Sequence, residues 1–323
     1  MSSYSKKPIL QVGFTSRIEE DNSMKRKLMN VLMCATLVAA TVLTGCGSNS
    51  KSESGTSKES SKVDAGSEKK KVLRVGMECA YAPFNWTQSS EEVSNGDKAV
   101  PIYGTSDYAY GYDVMLAQML ADELGWELEI HKVEWSSIVL GMNSGDYDAI
   151  IAGMGYTQER EQSVDFTDPY YIRPNVVVVK KDGKYANAKT LTDFTGASAT
   201  TQIGTIWEKY VPQIPEVNQL TYFETTSEVI MAVQTGAADC GILDEPTAMS
   251  AVIANPDLIY IALDESDPFL VPEGQSLNVC IAVKAGDSEL QKTLDDALDA
   301  IEWDEEKMNE TMSLAVTLQP LSN

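Results

Sequence analysis

From Val72 onward, short apolar runs alternate with stretches whose apolar residues recur at helical spacing. The run VLRVGM (72–77) predicts a strand. YDVMLAQMLADELG (112–125) places Val114, Ala117, Ala121 and Leu124 on one helical face before Gly125, a residue suited to ending a helix. ELEIHKVEW (127–135) reads as the next strand, a helix is expected from about Ser136 to Ser144-Gly145, and DAIIAG (148–153) reads as a buried strand. Strands alternating with amphipathic helices predict α/β layers.

One pattern returns. Asn143-Ser144-Gly145-Asp146-Tyr147-Asp148-Ala149-Ile150-Ile151 is echoed by Gln234-Thr235-Gly236-Ala237-Ala238-Asp239-Cys240-Gly241-Ile242: a helix, a glycine stop, an aspartate and a buried strand. Ordinary αβ punctuation accounts for such an echo as well as two similar lobes do. The β-branched runs NVVVVKKDG (175–183) and NVCIAVKAGD (278–287) read as crossings between lobes. They set a first lobe at 72–178 plus 279–323 and a second at 179–278, with two hinge strands between. Open α/β sheets bind ligands beyond the carboxyl ends of their strands, so Ala152-Gly153 and Leu243-Asp244 are expected to face one site.

The amino-terminal part carries a different signal. Lys25, Arg26 and Lys27 precede an apolar run from Leu28 to Leu43, the layout of a secretory leader. The run is shorter than the roughly 20 residues of a comfortable membrane span. Leu43-Thr44-Gly45-Cys46 resembles the bacterial lipobox, which implies cleavage before Cys46 and a diacylglycerol on its thiol; an uncleaved anchor helix is the alternative. Residues 24–45 are thus the leader, and 1–23 precede the expected start at Met24. Residues 46–71, rich in Ser, Gly, Lys and Glu, are a flexible tether.

Composition narrows the chemistry. The 323 residues are 43% hydrophobic, an ordinary globular balance, but 25 Lys and Arg stand against 48 Asp and Glu, a formal net charge of −23. That excess argues against nucleic acid or an anionic surface as the main partner and suits cations and zwitterions. With His131 as the single histidine, a multi-histidine metal site is excluded, and neither metal nor cofactor is expected. Beyond the leader, Cys79, Cys240 and Cys280 allow at most one disulfide, its pairing open; buried thiols are the expectation.

Taken in order, LRVGMECAYAPFNW, GYDVMLAQMLADELG, EWSSIVLGMNSGDYDAIIAGM, YTQEREQSVDFTDPYY, TQIGTIWEKY and GILDEP resemble the extracellular solute-binding proteins of family 3, amino-acid receptors of ABC importers. The resemblance runs from about Val72 to Ala315. It implies a two-lobe, periplasmic-binding-protein-like fold of type II. Arg160 matches the arginine that holds the ligand's α-carboxylate, where a guanidinium fork suits the anion; a surface pairing with Glu159 or Glu161 is the alternative. Gln202, Gly204 and Thr205 match the turn whose amides meet the same carboxylate at a helix N-terminus, although a plain strand-to-helix turn also explains Gly204. Asp244 matches the acid that pairs with the α-ammonium, with a helix cap ahead of Pro246 as its competitor. Gly153 matches a position that offers a carbonyl to that ammonium.

For the ligand side chain the resemblance points to Glu78, Tyr81 and Trp135, each of which has a plainer reading, as a solvated acid or as core packing. Gly155 departs from the family's Ser or Thr, so either water or an unusual ligand main chain, for example an N-methylated one, replaces the hydroxyl. Residues 87–110 are longer than usual, and Tyr103, Tyr108 and Tyr110 either line the cleft rim or pack the insertion to its lobe. The implied function is a monomeric, lipid-anchored receptor on the outer face of the cell membrane. It binds a polar or basic amino acid or related amine and delivers it to an ABC permease. The rival is an enzyme on the same scaffold, similar to cyclohexadienyl dehydratases, with Glu78 as its general acid. Lytic transglycosylases and sensory receptors need a further domain or membrane helix, which is not expected here since the sequence closes at Asn323.

Overall fold

The computed structural model describes residues 70–320; the leader, Cys46 and most of the tether lie outside the described residues. Strand Val72–Met77 encloses Leu73, Val75 and Met77 completely, as a strand with parallel neighbours and covered faces must. It pairs in parallel with Glu127–Lys132 on one side and Ala149–Ile150 on the other. Gln275–Lys284 returns from the far end of the chain to pair antiparallel with Ala149–Ile150, Gly155–Thr157 and Val164–Ile172, which completes a mixed six-stranded sheet.

Helix Tyr112–Leu124 stops where expected: Gly125 has φ 66°, and its N–H closes on the carbonyls of Ala121 and Asp122. The buried face is wider than the expected stripe and adds Tyr112, Asp113, Leu116 and Leu120. The reason is that the helix packs against Ser288–Ala300 and Glu305–Leu318 as well as against strands.

A second, five-stranded mixed sheet has the order Asn218–Gln219, Ser198–Thr200, Cys240–Asp244, Asn175–Lys180, Leu258–Ile261. The lobe limits expected at 178 and 278 fall inside strands and need moving. Asn175–Lys180 pairs with strands of the second sheet, and Gln275–Lys284 with strands of the first. The chain therefore leaves the first lobe at Arg173-Pro174 and returns between Ile261 and Gln275. The β-branched composition starts at the crossing and continues into the new sheet, so it marks no boundary. Pro174, which has no N–H for a ladder, is the break.

The echo recurs in three dimensions. Gly145 and Gly236 both end helices with left-handed backbone, φ 87° and 81°. Asp148 accepts from the N–H of Arg74 at 3.2 Å, and Asp239 from the N–H of Ser198 at 2.8 Å. In each lobe the strand beside that aspartate pairs in parallel with the strand so tied. One device fixes strand register twice.

The insertion joins the segment just before it in an antiparallel sheet of Ala80–Tyr81, Asn85–Gln88, Tyr108–Tyr110 and Val100–Pro101. Tyr110 donates to Asp97 at 2.6 Å and meets Trp86 edge-on, Tyr108 lies half-buried within the sheet, and exposed Tyr103 stacks on His131 at 4.7 Å. These tyrosines pack the insertion to the first lobe. Cys79, Cys240 and Cys280 are buried free thiols.

Candidate functional site

Strand ends from both sheets converge on one cleft, and side chains bridge it. Tyr81, on its two-residue strand, stacks flat on Phe84 at 4.8 Å, and its hydroxyl donates across the cleft to Asp244 Oδ2 at 2.5 Å. The Tyr81 ring lies against Gly153, where an added Cβ would come within 2.5 Å of it. Gly153 has φ 62°, and its N–H donates to the Tyr170 hydroxyl, which in turn donates to fully buried Asp113. Asn85 also donates to Asp113, at 2.8 Å. Burial pushes the Asp113 carboxyl up to about 6 against those two hydrogen bonds.

Asp244 has the helix-cap role that its sequence context offers and also faces the cleft. As the last residue of Cys240–Asp244 it caps helix Glu245–Ala254, accepting from the Thr247 N–H at 2.9 Å, with Pro246 in the first turn. Its other oxygen faces the cleft and accepts hydrogen bonds from the Tyr81 and Thr247 hydroxyls. One carboxylate both starts a helix and presents charge to the first lobe.

Arg160 opens a short 3-10 turn and donates to the carbonyls of Gly155 at 2.6 Å and Gly204 at 2.9 Å, so it too spans the lobes. Its guanidinium lies 5.3 Å from the Trp135 ring centre. Burial first, and neighbouring Arg173 second, bring the Arg160 pKa down to about 10. Glu159 and Glu161 do not pair with it; Glu161 accepts from Tyr156 instead.

Glu78 follows the first strand, is 6% exposed, and accepts from Gln202 Nε2 of the second lobe at 2.9 Å. Burial raises its pKa to about 8, with Glu224 and Glu134 adding to the rise and the Gln202 hydrogen bond opposing it. The solvated-acid reading therefore fails, and Glu78 is largely protonated at neutral pH. The turn Gln202-Ile203-Gly204-Thr205 needs a correction. It leads into a four-residue 3-10 turn, Ile206–Lys209, too short for a helix dipole, and the Gly204 N–H donates to the carboxylate of Glu208 at 2.5 Å.

Sequence reasoning missed Arg173, Trp207, Glu208 and Thr247. For Arg173 the signal was present: a lone cation between Tyr170-Tyr171-Ile172 and Pro174, interrupting an apolar stretch. It is 3% exposed and donates to the Tyr81 hydroxyl at 2.6 Å. With Glu78, Tyr81, Trp135, Gln202 and Trp207 it encloses an inner cavity of about 10 Å³, room for about one water. Beyond Arg160 lies a hollow of about 380 Å³, lined in part by Gly204, Thr205 and Glu208. In this arrangement the inner space admits nothing larger than about one water. Among the described residues no cluster of His, Cys, Asp and Glu is suited to a metal ion.

Residues 73–310, nearly all that are described, match the family model for bacterial extracellular solute-binding proteins, family 3. The arginine-binding extracellular protein ArtP of Bacillus subtilis is 29% identical over 281 residues, 86% of this chain and 93% of that protein. A probable histidine-binding protein of Neisseria gonorrhoeae is 26% identical over 288 residues, covering 86% and 91%. The solved structure of an amino acid ABC transporter substrate-binding protein from Streptococcus pneumoniae, bound to L-arginine, is similar with a TM-score of 0.63 at 25% identity, covering 77% of this chain and 95% of that one. Each of these relatives is named as a binding protein, not as an enzyme, and the Streptococcus structure shares the mixed α/β architecture described above. The chain belongs to the bacterial extracellular solute-binding proteins of family 3.

Proposed function

We propose that the protein is a lipid-anchored receptor on the outer face of the cell membrane that binds a polar or basic α-amino acid and delivers it to an ABC importer. The observation that carries this reading is the opposition of Arg160 and Asp244 on facing lobes, a cation and an anion spaced by a closable cleft. A zwitterion is the small solute that complements such a pair. The arginine- and histidine-binding relatives support the amino-acid class. Glu78 beside Tyr81 and Trp135 favours a hydrogen-bond-donating or cationic side chain over an acidic one.

The state of Glu78 makes the reading testable by calorimetry on a panel of free amino acids. A cationic side chain that pairs with Glu78 must first displace its proton. L-arginine binding at pH 7 is therefore expected to release close to one proton, read from buffers of different ionisation enthalpy, and its affinity should rise with pH toward about 8 and then level off. Glu78→Gln should abolish the release. L-glutamine, a neutral donor, should release none. Tighter binding of glutamate or aspartate than of every polar and basic amino acid would refute the selectivity.

Leu43-Thr44-Gly45-Cys46 supports the anchor. Mass spectrometry of the membrane-associated protein should find an amino-terminal Cys46 carrying diacylglycerol and no residues before it; two chains suffice for stable attachment where one does not. A mature protein with an unmodified Cys46 thiol would refute lipidation.

A further inference from the structure

Arg173 is a charged side chain of the inner cavity to which none of the roles above applies. Its guanidinium is almost wholly enclosed, with Nη1 donating to Tyr81, the Asp244 carboxylate 3.8 Å away and the Trp207 ring 5.1 Å from its central carbon. Its Nε is buried and has no hydrogen-bond partner among the described residues. A guanidinium N–H buried without an acceptor is costly, and the acceptor that fits its planar edge is a carboxylate.

Gly155 explains how the side chain fits. A Cβ there would lie 3.3 Å from Arg173 Nη2 and 3.3 Å from Ile206, so a larger residue would crowd the guanidinium. On its carbonyl side Gly155 accepts from Arg160 Nη1 at 2.6 Å. Two guanidinium groups thus flank one glycine, each opposing the other's charge until an anion joins them.

We propose that Arg173 is a specificity-determining residue which, together with Arg160, seats an ionised carboxylate of the ligand and so restricts the site to solutes that carry one. This rests on the amino-acid reading of the cleft. Amides, esters and decarboxylated amines of the same side chain are disfavoured, because a neutral group supplies no anion to the two neighbouring guanidinium groups, of which Arg173 has only the more distant Asp244 carboxylate as counter-ion.

The test measures binding of L-arginine, L-histidine and L-glutamine and of their α-carboxamides to the native protein and to Arg173→Met. Met has comparable bulk and no charge. For the amino acid that binds, Arg173→Met is expected to lose about 30-fold or more in affinity, while the matching carboxamide changes by less than about threefold. Adding Gly155→Ser to Arg173→Met should recover part of the loss, since a hydroxyl then has the freed space, whereas Gly155→Ser alone should weaken binding. Arg173→Lys, which keeps charge without the fork, is expected to lose about tenfold and guards against a folding failure of the Met variant. Melting of each unliganded variant reports folding. If the native protein binds none of the three amino acids, the amino-acid reading falls. If it binds one and folded Arg173→Met or Arg173→Lys keeps both native affinity and native discrimination, the role of Arg173 alone falls. Tighter binding by Arg173→Met also overturns it, because Arg173 would then be competing with the ligand's ammonium for Asp244.

Discussion

Removing either end of the zwitterion clamp is expected to eliminate useful binding. Truncating one partner of a buried, hydrogen-bonded charge pair costs about 2–5 kcal/mol, or about 30-fold to several thousandfold in affinity. Arg160→Ala is the cleaner of the two experiments. The residue is half-buried, and its guanidinium donates to Gly204 across the cleft and to Gly155 within its own lobe, where it also lies over the Trp135 ring. Asp244 also caps a helix, so alanine there would add about 1 kcal/mol of lost stability to any loss of binding. Asp244→Asn separates the effects, because an amide oxygen can still accept from the Thr247 N–H while the charge is gone. Calorimetry with the amino acid bound by the native protein should give a severe loss for both variants at nearly native melting temperature. Native affinity in both would refute the clamp.

The largest effect on folding is expected at Gly111. This residue has φ 127°, and an added Cβ would sit 2.5 Å from the carbonyl oxygen of Phe84, 2.9 Å from its carbon and 3.0 Å from the Asn85 Cα. These are backbone atoms with nowhere to go: the Phe84 carbonyl accepts from the Asp113 N–H at 2.8 Å, and the Pro83 carbonyl from the Tyr112 N–H at 3.1 Å. Gly111→Ala should therefore cost about 3 kcal/mol or more from strained backbone and overpacking combined. At this size that is roughly 6–12 °C in melting temperature. Gly125→Ala is the control. Its φ is 66°, but an added Cβ meets nothing within 4 Å, so the left-handed backbone alone costs about 1–2 kcal/mol. Equal melting of the two variants would show that the Phe84 contact yields easily.

What could be read in advance follows from how local the causes are. The strand at Val72–Met77 and the helix ending at Gly125 are set by apolar spacing and one glycine, so the chain order of elements was legible. The crossings were not, since Val176–Val179 look alike whichever sheet they join and only pairing partners decide. In the site, Arg160, Asp244, Tyr81 and Glu78 were reachable through ordered motifs, but their present partners were not. Gly204 donates to Glu208 and Tyr81 to Asp244 because two lobes fold toward each other, a long-range outcome that no spacing along the chain encodes. Gly155 was visible as a gap; what fills the gap comes from a different strand end, at Arg173. The charge state of Glu78 was equally hidden, since it depends on enclosure by residues from both lobes.

The placement of Gln275–Lys284 has a consequence for how the molecule assembles. This strand lies inside the first sheet, between Ala149–Ile150 and the pairings to Gly155–Thr157 and Val164–Ile172, yet it is made after the entire second lobe. A chain emerging amino end first cannot complete the middle of its first sheet until the last third of the sequence is available. The second lobe is continuous and has no such wait. Its formation brings Pro174 and Gln275 to fixed points on one compact body, which replaces a long flexible closure by a short one and lowers the entropy lost when the final strand enters. The expected order of assembly is the reverse of the numbering of the lobes: the inserted lobe first, then the outer lobe, whose sheet waits for its latest strand.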